Sequence, residues 1–268
     1  MAPLRIGMIA NDFRHSGTAI LGRGRLGRAL ARALGAAGVP ARLLPGTTAL
    51  AGLPEPLVIL AIPDDALAAR VEALAGGPEA EARTVFHTGG LRGAEALQGL
   101  ASLGHHVGAF HPLQSFPKGD EPPETFRGIS IALDGDLEAL EAGRRLAVLL
   151  GAVPIEVPSA LRPLYHLGAS LTANGLVGLV GAGRDALVAA GFTDAGAREA
   201  LAPLLRRSLE NALARGPELA LSGPVSRGDE GTLEVHRRAL EAWDPSRKAL
   251  YEALVDEQRR LSTKRRSS

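Results

Sequence analysis

The sequence predicts an α/β domain, doubly wound around a mostly parallel sheet, followed by an all-helical domain. Three observations predict it: short aliphatic runs alternate with helical stretches in the first half, a glycine-rich turn follows the first run, and only helical patterns follow residue 158. We place the boundary in the proline-rich passage 154–163, which gives predicted domains of residues 1–157 and 158–268.

The first domain is predicted to alternate six strands with four helices. The run "VILAIP" is a clear strand candidate, because a continuous apolar run is typical of a strand covered on both faces. The predicted strands are 18–21, 42–44, 57–62, 84–87, 106–110 and 128–133. The helices between them are predicted to begin near Leu26, Asp65, Gly93 and Leu137. Ahead of the first strand, "RIGMIA" could form an extra edge strand or part of an ordered arm.

The second domain is predicted to contain helices over 160–190, 195–215, 230–242 and 246–262. Residues 163–183 carry no charge and approach the length of a membrane span. Their polar side chains and five glycines instead favour a helix buried in the centre of a soluble domain.

Composition and charge exclude several classes of function. The 268-residue chain has a formal net charge of +1, so no overall field favours nucleic acid or an anionic membrane. It has no cysteine, which excludes disulfides, thiolate zinc sites and a cysteine nucleophile, and which suits the cytoplasm. The first residues lack the pattern of a secretory signal, so we expect none.

The turn after the first strand has the pattern G-x-G-x-x-G, formed by Gly22, Gly24 and Gly27. In a strand–turn–helix context, these glycines allow a tight turn, close approach of a pyrophosphate and close packing of the helix. We predict a dinucleotide site; the alternative is a structural turn without a ligand. The residues predicted to bind the cofactor are Gly22, Arg23, Gly24, Arg25, Leu26, Gly27, Thr47, Ile62, Pro63, His87 and Thr88.

The segment after the second strand favours NADP over NAD. An NAD site usually has an acidic residue about twenty positions after the turn, to bind the ribose hydroxyls. Here "ARLLPGTTAL" has no acid before Glu55, and Thr47 could donate to a 2′-phosphate. The positive charges of Arg23, Arg25 or Arg42 could neutralise this phosphate. The alternative is that these arginines are only solvated at the surface.

Six motifs occur in a fixed order: "GRGRLGRALARAL", "VILAIPDDAL", "HTGGLRGAEAL", "GAFHPLQSFP", "YHLGASLTANGLVGLV" and "LSGPVSRGDEGTLEVH". Together they resemble a bacterial family that pairs a Rossmann-like NADP-binding domain with a helical C-terminal domain of unknown function. That family is similar to pyrroline-5-carboxylate reductases, ketopantoate reductases and β-hydroxyacid dehydrogenases. The resemblance implies a hydride-transfer enzyme with its active site between the two domains and a homodimer formed through the helices. It implies no particular substrate.

The motif "HLGASLTAN" places His166, Ser170 and Asn174 along one stripe of a helix, at i, i+4 and i+8. Hydride transfer to a carbonyl or imine needs a proton donor and groups that orient the substrate. In the related β-hydroxyacid dehydrogenases a lysine precedes an asparagine by four residues, but Ser170 stands at that position here. We therefore predict His166 as the acid, Asn174 as the orienting residue and Ser170 as substrate-binding. The alternative for His166 is a buried histidine satisfied by a neighbour.

Two further motifs supply candidate site residues. His111, in "AFHP", lies at the carboxyl end of the fifth strand, where doubly wound sheets bind ligands. It is predicted as a catalytic residue facing the nicotinamide; the alternative is a loop cap. In "SGPVSRGD", which resembles the closing motif of the family, Ser222 and Arg227 are predicted to bind substrate, Arg227 through a bidentate carboxylate contact. The alternative is that Arg227 and Asp229 pair to join two helices.

The sequence thus predicts an NADP-dependent oxidoreductase that transfers a hydride between NADP(H) and a small 2-oxo acid, other carbonyl compound or imine. NAD is the less favoured nucleotide. No metal is expected, because the clustered histidines lack the spacing of a ligand set. No nucleic acid or membrane partner is expected, because only the short "KRR" run is basic. The alternative in a different class is a non-catalytic NADP-binding sensor, and a deazaflavin partner for the nucleotide is a further option.

Overall fold

The computed structural model of the chain describes residues 13–119 and 121–267. The chain forms two compact units, one up to Asn174 and one from Gly175 onward. The segment "RIGMIA", considered above as an edge strand or arm, lies outside the described residues.

A seven-stranded sheet organises the described part of the first unit, in the order β2-β1-β3-β4-β5-β6-β7. Strands β1 to β5 are parallel, β6 is antiparallel to β5, and β7 is parallel to β6. The strands are β1 (Thr18–Leu21), β2 (Ala41–Leu44), β3 (Leu57–Leu60), β4 (Thr84–His87), β5 (His106–Pro112), β6 (Ser130–Gly135) and β7 (Val153–Glu156). The predicted fold class, a mostly parallel sheet followed by helices, is confirmed.

Helices cover both faces of this sheet. The helices up to residue 149 are α1 (Phe13–Ser16), α2 (Arg25–Ala36), α3 (Asp64–Ala75), α4 (Gln98–Ala101) and α5 (Leu137–Leu149), with 3₁₀ turns at Ala94–Leu97, Pro123–Phe126 and Ser159–Leu161. Side chains of α2 and α5 pack with Ile20 and Ile59 on one face, whereas those of α3 and α4 pack with Leu21 and Leu60 on the other. Neighbouring residues of a strand point to opposite faces, so a strand covered on both sides, such as the wholly apolar β3, has no position left for solvent.

Two features of the sheet differ from the sequence prediction. Strand β7 was not predicted, because Pro154 lies inside it and a proline argues against a strand. It is tolerated because β7 pairs only with β6, at the edge of the sheet. The antiparallel direction of β6 was not predicted either, since an aliphatic run carries no sign of its direction.

The second unit is helical in its described part. Helix α6 (Arg162–Ala189) starts in the first unit and runs on past Asn174, and it is followed by α7 (Asp194–Arg215), α8 (Pro217–Ala220), α9 (Pro224–Arg227), α10 (Glu230–Trp243), a 3₁₀ turn at Pro245–Arg247, and α11 (Lys248–Ser267). Val225, Leu233 and Val255 form a small buried cluster with Tyr251 packed against it.

The uncharged segment 163–183 is not the buried helix that the sequence predicts. Along α6 only Arg162 is buried in the single chain, while Leu164 and Val177 are 69% and 73% exposed. No helix among the described residues has the length and apolar character needed to cross a bilayer. The described residues therefore leave much of the apolar surface of α6 exposed.

Candidate functional site

The glycine turn between β1 and α2 is shaped by close packing at two positions and by open space at a third. Gly22 has φ = 134°, and a Cβ there would clash with the carbonyl oxygen of Ala61. A Cβ on Gly27 would clash with the carbonyl oxygen of Gly22. Beside Gly24, by contrast, no described atom lies within 4 Å of such a Cβ. Gly22 and Gly27 therefore allow the close packing of the turn, and Gly24 leaves room for a ligand.

The amino end of α2 is suited to an anion. Gly24 occupies the N-cap position, no side chain caps the helix, and no acidic residue lies in its first turn. The first N–H groups of a helix lack intrahelical partners and carry partial positive charge. Arg23 and Arg25 are exposed beside them. This turn fits the pyrophosphate of a dinucleotide.

The carboxyl end of β2 has no carboxylate among the described residues 45–48, and Thr47 is exposed there. Arg42 does not reach this end. It lies opposite Ala19 in the strand register, and its Nη1 binds the buried Glu55 carboxylate at 2.9 Å. Arg42, a candidate for neutralising a 2′-phosphate, is thus committed to a structural ion pair, whereas Arg23 and Arg25 stay at the turn.

The loops after β3 and β4 place the remaining predicted cofactor residues on the same edge of the sheet. Ile62 and Pro63 precede α3, and Pro63 is its N-cap. His87 is buried: the N–H of Gly89 donates to its Nδ1 (3.1 Å), so Nε2 carries the hydrogen and donates to the carbonyl oxygen of Gly93 (2.9 Å). Burial lowers the pKa of His87. The hydroxyl of Thr88 points back to Leu60. The side chains of His87 and Thr88 are therefore bound within the protein, and they would meet a nucleotide through their backbone.

A cleft of about 650 Å³ within the first unit brings five of the predicted site residues together. They are Arg25, His111, His166, Ser170 and Asn174. The other residues of its lining are Leu113, Gln114, Ser115, Phe116, Tyr165, Gly168, Ala169, Thr172 and Ala173. Arg25 is the only Arg, Lys, Asp or Glu among them. The cleft therefore favours a small ligand with an anionic group and neutral polar contacts.

Two histidines and a tyrosine form the polar end of the cleft. Nδ1 of His111 and the hydroxyl of Tyr165 share a hydrogen bond of 2.8 Å, and the ring centroids of His111 and His166 are 6.2 Å apart. Burial, with the nearby Arg162 guanidinium, lowers the pKa of His111 to about 4. Burial raises the pKa of Tyr165. At neutral pH, His111 is an uncharged hydrogen-bonding group.

The helix stripe predicted from "HLGASLTAN" faces this cleft as a unit. The ring nitrogens of His166 have no hydrogen-bond partner in the described part of the chain, so they are free to meet a ligand. Nδ2 of Asn174 lies 3.5 Å from Oγ of Ser170, which leaves most of its donor and acceptor capacity open.

Two residues near this end were missed by the sequence analysis. Tyr165 is the first residue of the motif "YHLGASLTANGLVGLV" and precedes His166 directly, but its partner His111 is 54 positions away in sequence. Arg162 is fully buried at the start of α6. A buried arginine has no local signal, because arginine is common on surfaces.

Ser222 and Arg227 lie in the second unit, and both are exposed. Oδ1 and Oδ2 of Asp229 accept hydrogen bonds from the backbone N–H (3.0 Å) and hydroxyl (2.7 Å) of Thr232. Asp229 is therefore the N-terminal cap of α10. The guanidinium of Arg227 remains at the surface beside it.

One group of possible metal ligands occurs among the described residues, away from the cleft. Atoms of His106, Asp136 and Glu138 lie within 4.8 Å of one another, at the amino end of β5. Both oxygens of Asp136 already accept backbone N–H groups, from Val107 and Ala139. This carboxylate caps α5, so the group is best explained as a capping site.

Comparisons with known proteins agree with this architecture. Residues 129–258 match the family described as domain of unknown function DUF2520. No curated protein matches the chain. Among solved structures, a provisionally named NADP oxidoreductase, BF3122 from Bacteroides fragilis, has a TM-score of 0.74 at 23% identity, covering 93% of this chain and 100% of that one. Protein TM1727 from Thermotoga maritima has 0.71 at 20%, covering 93% and 99%.

A third structure is the pyrroline carboxylate reductase of Plasmodium falciparum with NADP bound, at a TM-score of 0.53 and 12% identity, covering 92% of this chain and 99% of that one. At these identities the similarity shows the fold. Together the matches confirm the predicted resemblance: a DUF2520 region in a chain whose fold is that of Rossmann-type reductases with a helical C-terminal region.

Proposed function

We propose that this protein is a cytoplasmic NADPH-dependent reductase of a small 2-oxo acid or imine. One observation carries the proposal: a single cleft holds Arg25 of the glycine turn together with His111, His166 and Asn174. A nucleotide bound to the turn and a substrate beside the histidines would then share one cavity, as hydride transfer requires.

The nucleotide site fits NADPH by its donor set. The open space beside Gly24 and the uncapped N–H groups of α2 would hold the pyrophosphate. The exposed Arg23 and Thr47, with no carboxylate at residues 45–48, favour a 2′-phosphate over a free ribose hydroxyl. Arg25 would bind either a phosphate of the nucleotide or the carboxylate of a 2-oxo acid.

The side chains of the cleft can supply the proton and the orienting hydrogen bonds that the reaction needs besides the hydride. NADPH, when bound, supplies the hydride to the carbonyl or imine carbon. The electron pair that moves to the substrate oxygen or nitrogen then takes a proton, which protonated His166 donates. Asn174 and Ser170 orient the same polar group by hydrogen bonds. Neutral His111, held by Tyr165, offers a hydrogen bond without adding charge.

Nucleotide binding is the first prediction to test. Titration of the purified chain with NADPH and NADH, followed by fluorescence, should show saturable binding with tighter binding of NADPH. A screen of 2-oxo acids and cyclic imines should then show substrate-dependent loss of NADPH absorbance. Tight binding without turnover on any compound would favour a non-catalytic NADP sensor. Failure to bind either nucleotide would contradict both functions.

The second unit also supports a homodimer. Among its described residues, the large hydrophobic side chains that stay exposed are Leu176, Val177, Leu179, Val188, Phe192, Leu204, Leu209, Leu213, Leu219, Val235, Trp243 and Leu250. The apolar residues that it buries are only Ala197, Val225, Leu233 and Val255. So small a core rarely stabilises a helical unit of this length, and so much exposed apolar surface is typical of an interface. A second copy of the chain would cover it.

Light scattering after size-exclusion chromatography should therefore give twice the mass of one chain. Replacing Leu209 and Leu213, 49% and 79% exposed on one face of α7, by lysine should shift the protein toward the mass of one chain. Leu137→Lys, on α5 in the first unit and 74% exposed, is the matched control and should leave the mass unchanged. A wild-type protein that stays at the mass of one chain would contradict the dimer.

A further inference from the structure

Arg162 is a fully buried cation with incomplete hydrogen bonding. Its Nη2 donates to the carbonyl oxygen of Ala132 at 3.2 Å and its Nη1 to that of Gly89 at 3.4 Å, both long bonds. Its Nε has no partner among the described residues. A buried charge with imperfect partners costs folding free energy, and a hydrophobic residue of similar size is often at least as stable. Arg162 is therefore poorly explained by stability alone.

The carboxylates near Arg162 are engaged elsewhere. Oδ2 of Asp134 accepts from the N–H of Ala94 (2.9 Å) and from the hydroxyl of Ser159 (2.6 Å). Oε2 of Glu95 is also 2.6 Å from that hydroxyl. They balance the charge of Arg162 through space and form no ion pair with it in the described part of the chain. The guanidinium keeps both of its hydrogen bonds for backbone carbonyls.

The carbonyl of Gly89 belongs to the turn that supports the two histidines of the cleft. A Cβ placed on the next residue, Gly90, would lie 2.7 Å from Nε2 of His111 and 2.6 Å from Cδ2 of His166. Both rings therefore pack against the Gly89–Gly90 turn, and Arg162 binds the carbonyl oxygen of Gly89 in the same turn. Arg162 also lies one helical turn before Tyr165 and His166 on α6.

The charge of Arg162 acts on His111 as well. The titratable and charged groups that face the His111 ring are Arg162, Tyr165, His166 and His87. Burial first, and then the positive charge of Arg162, keep the pKa of His111 near 4. His111 is therefore uncharged at neutral pH, so it does not supply a proton to the substrate. His166 is partly exposed at the cleft.

We propose that Arg162 is a positioning residue of the candidate active site: through the carbonyl of Gly89 it holds the Gly89–Gly90 turn against the rings of His111 and His166, and its positive charge acts on the His111 ring. The assignment rests on the proposed reductase function. It gives Arg162 an effect on the reaction through His111 and the turn, without contact with the substrate.

The test uses the full chain with isotope-labelled histidines and follows each ring by NMR as the pH is lowered. In the wild type, His111 should stay neutral until about pH 4. In Arg162→Met its midpoint should move up toward the ordinary histidine value, whereas Arg162→Lys, which keeps the charge, should leave the midpoint low. With a substrate in hand, kcat in Arg162→Met should fall about 10- to 100-fold, because the rings are displaced.

Two results would overturn the proposal: a wild-type His111 that titrates near the ordinary histidine value, or an Arg162→Met protein with unchanged titration and unchanged kcat. If Arg162→Met does not fold, the wild-type and Arg162→Lys titrations still decide it. The NMR measurement needs neither nucleotide nor substrate. A failure of the reductase function, seen as no NADPH binding or no turnover, is therefore distinguished from a failure of this assignment.

Discussion

Gly27→Ala is expected to destabilise the first unit by about 3 kcal/mol, whereas Gly24→Ala is expected to fold normally and to bind NADPH about tenfold more weakly. The new methyl group at Gly27 would meet the carbonyl oxygen of Gly22. The backbone fixes the positions of the Cβ at residue 27, in α2, and of the Gly22 carbonyl oxygen, directly after β1. Neither atom can therefore rotate away from the other. The better helix propensity of alanine returns only about 1 kcal/mol.

At Gly24 the same substitution meets open space, and φ = −71° with ψ = −176° is accessible to alanine. The methyl group would instead intrude where a pyrophosphate lies. Urea unfolding and NADPH titration of both variants separate the two effects. If Gly24→Ala bound NADPH as tightly as the wild type, the turn would not be the phosphate site. If Gly27→Ala kept full stability, the close packing described here would be wrong.

The layers of the fold could be predicted from the sequence because they depend on local patterns. The buried strand "LVIL" has no polar position, and the spacing of Leu30, Ala33 and Leu34 marks the face of α2 that packs on the sheet. The long helices of the second unit follow from the same periodicity. These patterns report which side of an element is apolar, and they do so without knowledge of its neighbours.

The sequence did not predict features that depend on distant residues. The Arg42–Glu55 ion pair removes one arginine from the candidate phosphate site, and no spacing rule indicates it. The His111–Tyr165 hydrogen bond joins β5 to α6. Exposure of α6 was also missed, since an uncharged helix looks the same whether its own chain or a second copy covers it. The helix stripe of His166, Ser170 and Asn174 could be predicted, because the spacing of three residues on one helix places them on one face without any knowledge of the tertiary structure.

His166→Ala should lower kcat by a factor of about 10² to 10⁴ and leave the Kd for NADPH unchanged. The ring lies at the cleft without a hydrogen-bond partner in the described residues, so its removal takes away a proton donor and breaks no hydrogen bond seen there. Neutral His111 would not replace it, because a group with a pKa near 4 holds no extra proton at neutral pH. Steady-state kinetics and nucleotide titration measure the two quantities separately.

Asn174→Ala should lower kcat about 100-fold by removing a hydrogen-bond donor to the polar group of the substrate, again with NADPH binding intact.

His106→Ala is a suitable control for His166→Ala, because His106 lies at the amino end of β5, away from the cleft. It should retain wild-type kcat. Equal losses in His106→Ala and His166→Ala would point to a general loss of structure. Full activity in His166→Ala would move the proton donor to another group of the cleft, for which the hydroxyl of Tyr165, 2.8 Å from His111, is the nearest described candidate.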